Sequence, residues 1–439
     1  MILEDVLLRI RPNAAETERI RDVSTELKKI VESYLSGIDI DVKVRFVGSV
    51  AKGTFLSDPD LDIFLMFPNN IPREELENVG LKTGEDVLHG ERMYAEHPYT
   101  RGKFRGMEVD MVPCYALEST DKLLSAVDRT PFHTDYVLSK LSDEQKDDVR
   151  LLKAFMKGIG AYGAEPNTRG FSGYMCELLV IHYGSFENVV KAAAGWREGV
   201  TIAVEKRGPP MFGPMVVYDP VDPKRNVSSA VYIDTLALFI VACKSYLAEP
   251  DLRFFFPVPR RPMNRLELRR VTKHHGSRLL TVKFDRPDAN SDNIHSQIWK
   301  TQYALEKKLN AYSFNVLRAV HDLDKKIVIV FELERDELSK TFKHIGPPVW
   351  VRSSETFLNK WKDNEHGRPF IEEGQWTVVA ERRHDTAAEM LTDEAAMAGI
   401  GREIELETMV ILEHYKTLSK TDSLLLTELL DPKDPWDVE

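Results

Sequence analysis

Three carboxylates on the polar faces of otherwise apolar strand candidates constrain this chain more than any other feature. Asp60 and Asp62 flank Leu61 at the head of the run LDIFLMF, and two positions apart on a strand they project to the same side. Asp110 lies in GMEVDMVPCY, where Met107, Val109 and Met111 share one face and Glu108 and Asp110 the other. Carboxylates converging on one sheet repel each other and are costly to bury unless a cation compensates. Hard divalent ions with oxygen ligands, Mg²⁺ above all, suit such a set and bridge naturally to phosphates. A lone Asp-x-Asp behind the turn Ser57-Asp58-Pro59 is ordinarily turn chemistry. The weight therefore falls on its conjunction with what precedes it.

What precedes it is another strand. Ile38, Ile40, Val42, Val44 and Phe46 alternate with Asp39, Asp41, Lys43 and Arg45, the period of a half-buried strand. It runs into Gly48-Ser49, with Val50, Ala51 and Lys52 opening a short helix. Glycine admits a close approach of backbone to an anion, serine adds a hydroxyl, and a helix start favours negative charge. Lys52 adds a positive charge beside it. A phosphate cradle ahead of a carboxylate pair is the layout that nucleotidyl transfer needs.

The rest of the chain reads as mixed α and β. Ile20, Val23, Leu27, Ile30, Val31 and Tyr34 recur at helical steps and stop at Gly37. Ser142 with Gln145 is a capping-box pattern opening a mainly helical stretch. The Pro-rich segment from Glu249 to Asn264 reads as a boundary. Beyond it RLLTVKF, IWKTQYALEKKLNAY and IVIVFELE alternate strand, helix and strand. FIEEGQWTVVAER reads as a hairpin turning at Glu373-Gly374. The acidic tail DPKDPWDVE is expected to fray.

GSVAKGTFLSDPDLD with EVDMVPCY resembles the signature of the DNA polymerase β nucleotidyltransferase superfamily. RFVGSVAKGTF, AEHPYTRGKFRGMEVDMVPCY, AVDRTPFH, VRLLKAFMKGIGAYGAE, RGFSGYMCELL and VDPVDPKRNVSSA are similar, more specifically, to the archaeal class I CCA-adding enzymes, which are tRNA nucleotidyltransferases. The resemblance implies an α+β multidomain fold. A palm-type mixed sheet forms the catalytic head (residues 1–138), a helical neck completes the nucleotide pocket (139–252), and a C-terminal α/β body and tail bind tRNA (253–439). It implies Asp60, Asp62 and Asp110 as ligands of two Mg²⁺ ions, and Gly48, Ser49 and Lys52 as the phosphate loop. His133, Lys153 and Tyr162 match positions contacting the incoming triphosphate, and Arg225 a position that reads the base edge. Some family members carry Glu at the position of Asp60 and Arg at that of Lys52. Read from the residues alone, Lys153 could be a solvated helix residue, His133 a helix cap, and Arg225 a partner of Asp219 or Asp222. His97 and Cys114 are assigned no function, a core histidine and a buried thiol being the plainer accounts.

The implied activity is template-independent addition of C, C and A to the 3′ end of tRNA from CTP and ATP. The alternatives are a poly(A) polymerase-like enzyme and a non-catalytic RNA-binding relative. A net charge of −11 excludes a uniformly basic coat. Between Arg253 and Arg278, however, eight basic residues face Glu267 alone. This stretch is interleaved with Phe254, Phe255 and Phe256, and its Arg260, Arg261, Arg265, Arg269, Arg270 and Lys273 are the candidate tRNA contacts. Three scattered cysteines fit a reducing compartment. The longest apolar run, Leu236 to Cys243, is too short for a bilayer, and MILEDVLLRIRP is no signal peptide. A cytoplasmic location is expected, without a membrane partner. The resemblance is compatible with a homodimer, which the sequence itself does not set.

Overall fold

The computed structural model describes all residues except 1, 58, 94–96, 290, 414–419 and 439. The chain divides into two compact units, Met1–Pro259 with Asp434–Glu439, and Arg260–Lys433.

The first unit opens with two helices, α1 (Ile2–Ile10) and α2 (Ala14–Leu35). The Asn13 side chain caps α2 by accepting from the Glu16 N–H, and Ile20, Val23, Leu27, Val31 and Leu35 form its buried stripe. The alternating run that follows pairs only over β1 (Lys43–Val47), shorter than its pattern suggests, and leads into α3 (Gly48–Lys52). Next come β2 (Leu61–Phe67), α4 (Arg73–Leu88), β3 (Glu91–Met93), β4 (Tyr99–Phe104) and β5 (Met107–Tyr115). The strands form one sheet in the order β1-β2-β5-β4-β3, in which only β2 and β5 are parallel.

Helix α4 is absent from the sequence reading because Gly80 and Gly84 interrupt its pattern, each at a cost of about 1 kcal/mol against alanine. Both lie where helix meets sheet. An added Cβ would come within 2.4 Å of Pro113 at Gly80 and within 2.4 Å of Thr100 at Gly84. Their lack of a side chain sets how closely α4 approaches the sheet.

The remaining elements of this unit are α5 (Thr130–Lys140), α6 (Asp143–Gly158), α7 (Gly173–Tyr183), α8 (Phe186–Ala193), the parallel pair β6 (Val200–Ala203) and β7 (Met215–Tyr218), and α9 (Ile233–Ala248). The Ser142–Gln145 capping box is formed at the start of α6. Phe155 of α6 centres a ring cluster with Phe186, Phe239, Tyr246, Phe254 and Phe255.

Two expectations are corrected here. Phe254 and Phe255 do not interleave an RNA-binding patch: they are 3% and 4% exposed in this core. Nor does the tail fray, because Trp436 is buried and stacks on Phe254 with ring centroids 5.1 Å apart. The expected third segment, 253–439, thus loses both ends to the first unit, since aromatic burial outweighs the acidity around Trp436. Trp436→Ala should lower the first unit's stability by about 3 kcal/mol. Urea unfolding would show it, and an unchanged midpoint would contradict the docking.

The second unit holds α10 (Arg265–His275), β8 (Arg278–Asp285), α11 (Ser291–Ala311), β9 (Val316–Leu323) and β10 (Lys326–Leu333). It continues with β11 (Thr341–Pro348), α12 (Ser354–Trp361), β12 (Phe370–Glu372), β13 (Gln375–Glu381), α13 (Ala387–Glu394), β14 (Val410–Glu413) and α14 (Lys420–Leu430). An antiparallel sheet β14-β8-β10-β9 carries the core, with Val282, Phe284, Ile329 and Phe331 buried against Ile298 and Leu305 of α11. The expected hairpin is β12–β13, in the register Phe370↔Thr377 and Glu372↔Gln375. Among the described residues no helix is long and apolar enough to cross a membrane.

Candidate active site

The register of the first sheet builds the carboxylate site. Asp62 on β2 lies directly beside Asp110 on β5, and beside Val47 of β1 on its other side. Asp60 precedes β2 by one residue. Burial pushes the Asp62 carboxyl up to about 6, with the Asp110 and Asp60 charges adding to it. Asp60 is raised by burial and then by Asp110, against the pull of Arg101. Carboxylates held above their ordinary range by burial and by one another are what a divalent cation would relieve, so the residues fit the metal that the sequence implies.

Gly48 closes this side of the site. Its φ is 69°, and an added Cβ would stand 1.9 Å from Asp62 Oδ2. Any side chain there displaces a candidate ligand. Gly48→Ala should reduce transfer by about 10²-fold or more, the scale of a misplaced reacting group; activity within threefold of wild type would refute it.

Among the described residues no group of three His, Cys, Asp or Glu is already gathered around one point for a metal ion. Asp110 is engaged elsewhere. Arg101 on β4 stands opposite it in the ladder, and donates from Nε to Oδ1 at 2.7 Å and from Nη2 to Oδ2 at 2.6 Å. This arginine was missed in the sequence because its position depends on the β4–β5 register.

Behind the Gly48-Ser49 loop lies a buried charge cluster. Lys52 is 6% exposed and donates to Glu177 Oε2 of α7 at 2.5 Å, while the Thr54 hydroxyl donates to Oε1 at 2.5 Å. Lys153 of α6, 3% exposed, donates to the Thr54 carbonyl at 3.0 Å and lies 3.7 Å from Glu177 Oε1. Burial alone would raise Glu177, but Lys52 and Lys153 hold it below its ordinary range. Burial lowers Lys153. Neither lysine is a solvated surface residue, and Lys52 is paired with Glu177. Glu177 gave no signal in CELLVIHY, where one acid in an apolar helix marks no partner.

A second polar cluster gathers around Asp219, which is fully buried. His133 of α5 shares a hydrogen bond with its Oδ2 at 2.8 Å, Arg225 donates to the same oxygen at 2.9 Å, and the Tyr174 hydroxyl donates to Oδ1 at 3.2 Å. The His133 and Tyr174 rings stack at 4.0 Å. Burial would raise Asp219, but His133 and Arg225 bring it below its usual value. Burial in turn lowers His133 despite that bond. Of the open readings, Arg225 pairs with Asp219, while Asp222 is taken by Arg129 at 2.8 Å. His133 sits inside α5 rather than capping it. Tyr162 follows α6, half-buried, with Lys157 over its ring at 5.2 Å. His97 and Cys114 are buried, as expected.

In the second unit the basic segment divides. Arg265, Arg269, Arg270 and Lys273 are exposed on α10. Arg260 is largely buried and paired with Asp431 at 2.8 Å, whereas Arg261 is exposed and forms a surface pair with Glu267 at 2.7 Å.

Family models match this chain in three stretches. They are described as a nucleotidyltransferase domain (residues 24–133), a tRNA nucleotidyltransferase second domain (147–256) and a CCA-adding enzyme C-terminal domain (275–419). The CCA-adding enzyme of Methanosarcina acetivorans is 38% identical over 411 residues, covering 91% of this chain and 90% of that protein. That of Methanothermobacter thermautotrophicus is 39% identical over 400 residues, covering 89% and 87%. A solved structure of E. coli MS115-1 CdnC with ATP aligns at a TM-score of 0.46 and 19% identity, over 58% of this chain and 92% of that one. With such identity sustained through nearly the whole length of both proteins, this chain belongs to the CCA-adding enzyme family.

Proposed function

We propose that this enzyme adds C, C and A to the 3′ end of tRNA from CTP and ATP, without a nucleic-acid template, releasing pyrophosphate. The observation that carries the reading is the identity to CCA-adding enzymes along nearly the whole chain. The side-by-side placement of Asp62 and Asp110 supplies the chemistry. Nucleotidyltransferases of this superfamily use divalent metal ions. Mg²⁺ is the ion in this reading; Asp60 and Asp62 would hold one, and Asp110 would share a second. When bound, such ions neutralise charge on the triphosphate and lower the pKa of the 3′-hydroxyl.

The chain's own residues do the rest. Gly48 and Ser49 offer backbone and hydroxyl to the phosphates. The Lys52–Glu177–Lys153 cluster sets two basic groups against one carboxylate beneath that loop. It acts as a fixed field in a low-dielectric interior rather than as a direct clamp. Asp219 holds the Arg225 guanidinium by one N–H, so that another edge can meet a base, and Tyr162 offers a ring to pack against. Asp110 is the candidate base for the hydroxyl proton. The location in this reading is cytoplasmic, and a homodimer is compatible with it.

Labelled CTP and ATP with tRNA lacking its 3′ terminus provide the test. Three additions in the order C, C, A are expected, whereas an open-ended A ladder would overturn the reading in favour of a poly(A) polymerase.

Arg261, Arg265, Arg269, Arg270 and Lys273 are the exposed candidates for the tRNA backbone. Reversing Arg269 and Arg270 to Glu should raise KM for tRNA about tenfold or more and flatten its salt dependence. KM for CTP should not move. An unaltered tRNA KM would remove α10 from the tRNA-binding surface.

A further inference from the structure

Among the described residues, the one basic group given a hydrogen bond to the carboxylate site sits on the carboxylate that a second cation needs. Arg101 faces Asp110 across the β4–β5 ladder and occupies both of its oxygens, at 2.7 and 2.6 Å. A guanidinium fork matches a carboxylate edge to edge, so a cation arriving at Asp110 meets a filled edge and a like charge. The contact is not locked by packing, for the Arg101 side chain is 46% exposed. The ring of Tyr99, two residues earlier on the same face of β4, already lies 5.7 Å from the guanidinium. That cation–π contact holds the guanidinium on the sheet face beside Asp110 without burying it.

We infer that Arg101 is a positioning residue that competes with the divalent cation for Asp110, holding that carboxylate in place until the cation displaces the guanidinium. The inference rests on Asp110 being a metal ligand. It makes the second ion the weaker one by construction. Asp60 and Asp62 have no arginine hydrogen-bonded to them among the contacts described, and so load first. The Lys103–Glu108 pair, 2.8 Å apart two rungs along the same ladder and on the same face, is the natural control. It has the same charges and neither residue is a candidate ligand.

The test is a Mn²⁺ titration of the full-length enzyme without nucleotide or tRNA, with free Mn²⁺ read by electron paramagnetic resonance. Arg101→Gln should tighten the weaker Mn²⁺ site about fivefold or more, the lower end of usual couplings between two ligands. Arg101→Lys keeps the charge but loses the fork, and should tighten it by less. Wild-type affinity in Arg101→Gln would overturn the inference. So would equal tightening in Lys103→Gln, which would show a general charge effect. If Arg101→Gln does not fold, Arg101→Lys decides alone, and wild-type affinity there has the same force. Asp110→Asn separates the two readings. Weaker Mn²⁺ binding in it supports Asp110 as a ligand whatever Arg101 does, and unchanged binding would overturn both.

Discussion

Asp110→Ala should leave a folded enzyme that binds tRNA and does not extend it. The expected loss in single-turnover rate is roughly 10³-fold or more, several kcal/mol of transition-state stabilisation. The fold has little at stake in this residue. Asp110's bonded partner, Arg101, is half-exposed, so water replaces the carboxylate at small cost. Activity and stability should therefore separate: the rate collapses while the urea midpoint and the tRNA dissociation constant stay near wild type. A rate within tenfold of wild type would sink the assignment of Asp110 to the reaction. A collapse of the midpoint would show that the loss of activity is only unfolding.

Glu177 predicts the opposite pattern. It has no solvent exposure, and two lysines that are themselves 6% and 3% exposed converge on it. Glu177→Ala leaves two buried ammonium groups without their anion, a situation that costs about 3–5 kcal/mol. The variant should unfold at clearly lower urea, with α3, α6 and α7 all affected because Lys52, Lys153 and Glu177 tie them together. Glu177→Gln keeps the shape and an acceptor for Lys52 and should fall between the two. A Glu177→Ala unfolding free energy within about 0.5 kcal/mol of wild type would mean the cluster contributes no net stability. Such a result would also weaken the fixed-field role given to its charge.

The residues that could be read from the sequence are those whose role is local. LDIFLMF and MEVDMVPCY became strands over their full length because their apolar positions report burial directly. Ser142–Gln145 capped its helix because a capping box needs only four residues. The shared face of Asp62 and Asp110 was legible because strand periodicity fixes which way each points, whereas Asp60 lies one residue before its strand. What escaped depends on distant partners. Arg101 matters through a register, Glu177 through lysines on two other helices, and Asp219 through a histidine, a tyrosine and an arginine gathered from separate segments. Phe254 and Phe255 misled for a related reason. Aromatic residues among arginines look like a base-stacking surface, and only the fold shows them in the ring cluster around Phe155.

The return of Trp436 to the first unit bears on the order in which the protein folds. The ring that completes the Phe155 cluster is separated from Phe254 by the whole second unit. Closing so long a loop from an unfolded chain carries a large entropic penalty. The second unit removes most of it once folded, for its two ends are clasped together. Arg260 donates to the Asp431 carboxylate at 2.8 Å and also to its carbonyl, and the Met263 N–H donates to the Thr427 hydroxyl at 2.8 Å. The segment from Asp434 onward belongs to the first unit, where Trp436 stacks on Phe254. Docking of Trp436 onto the first unit's aromatic core is thus entropically easier once the second unit has formed.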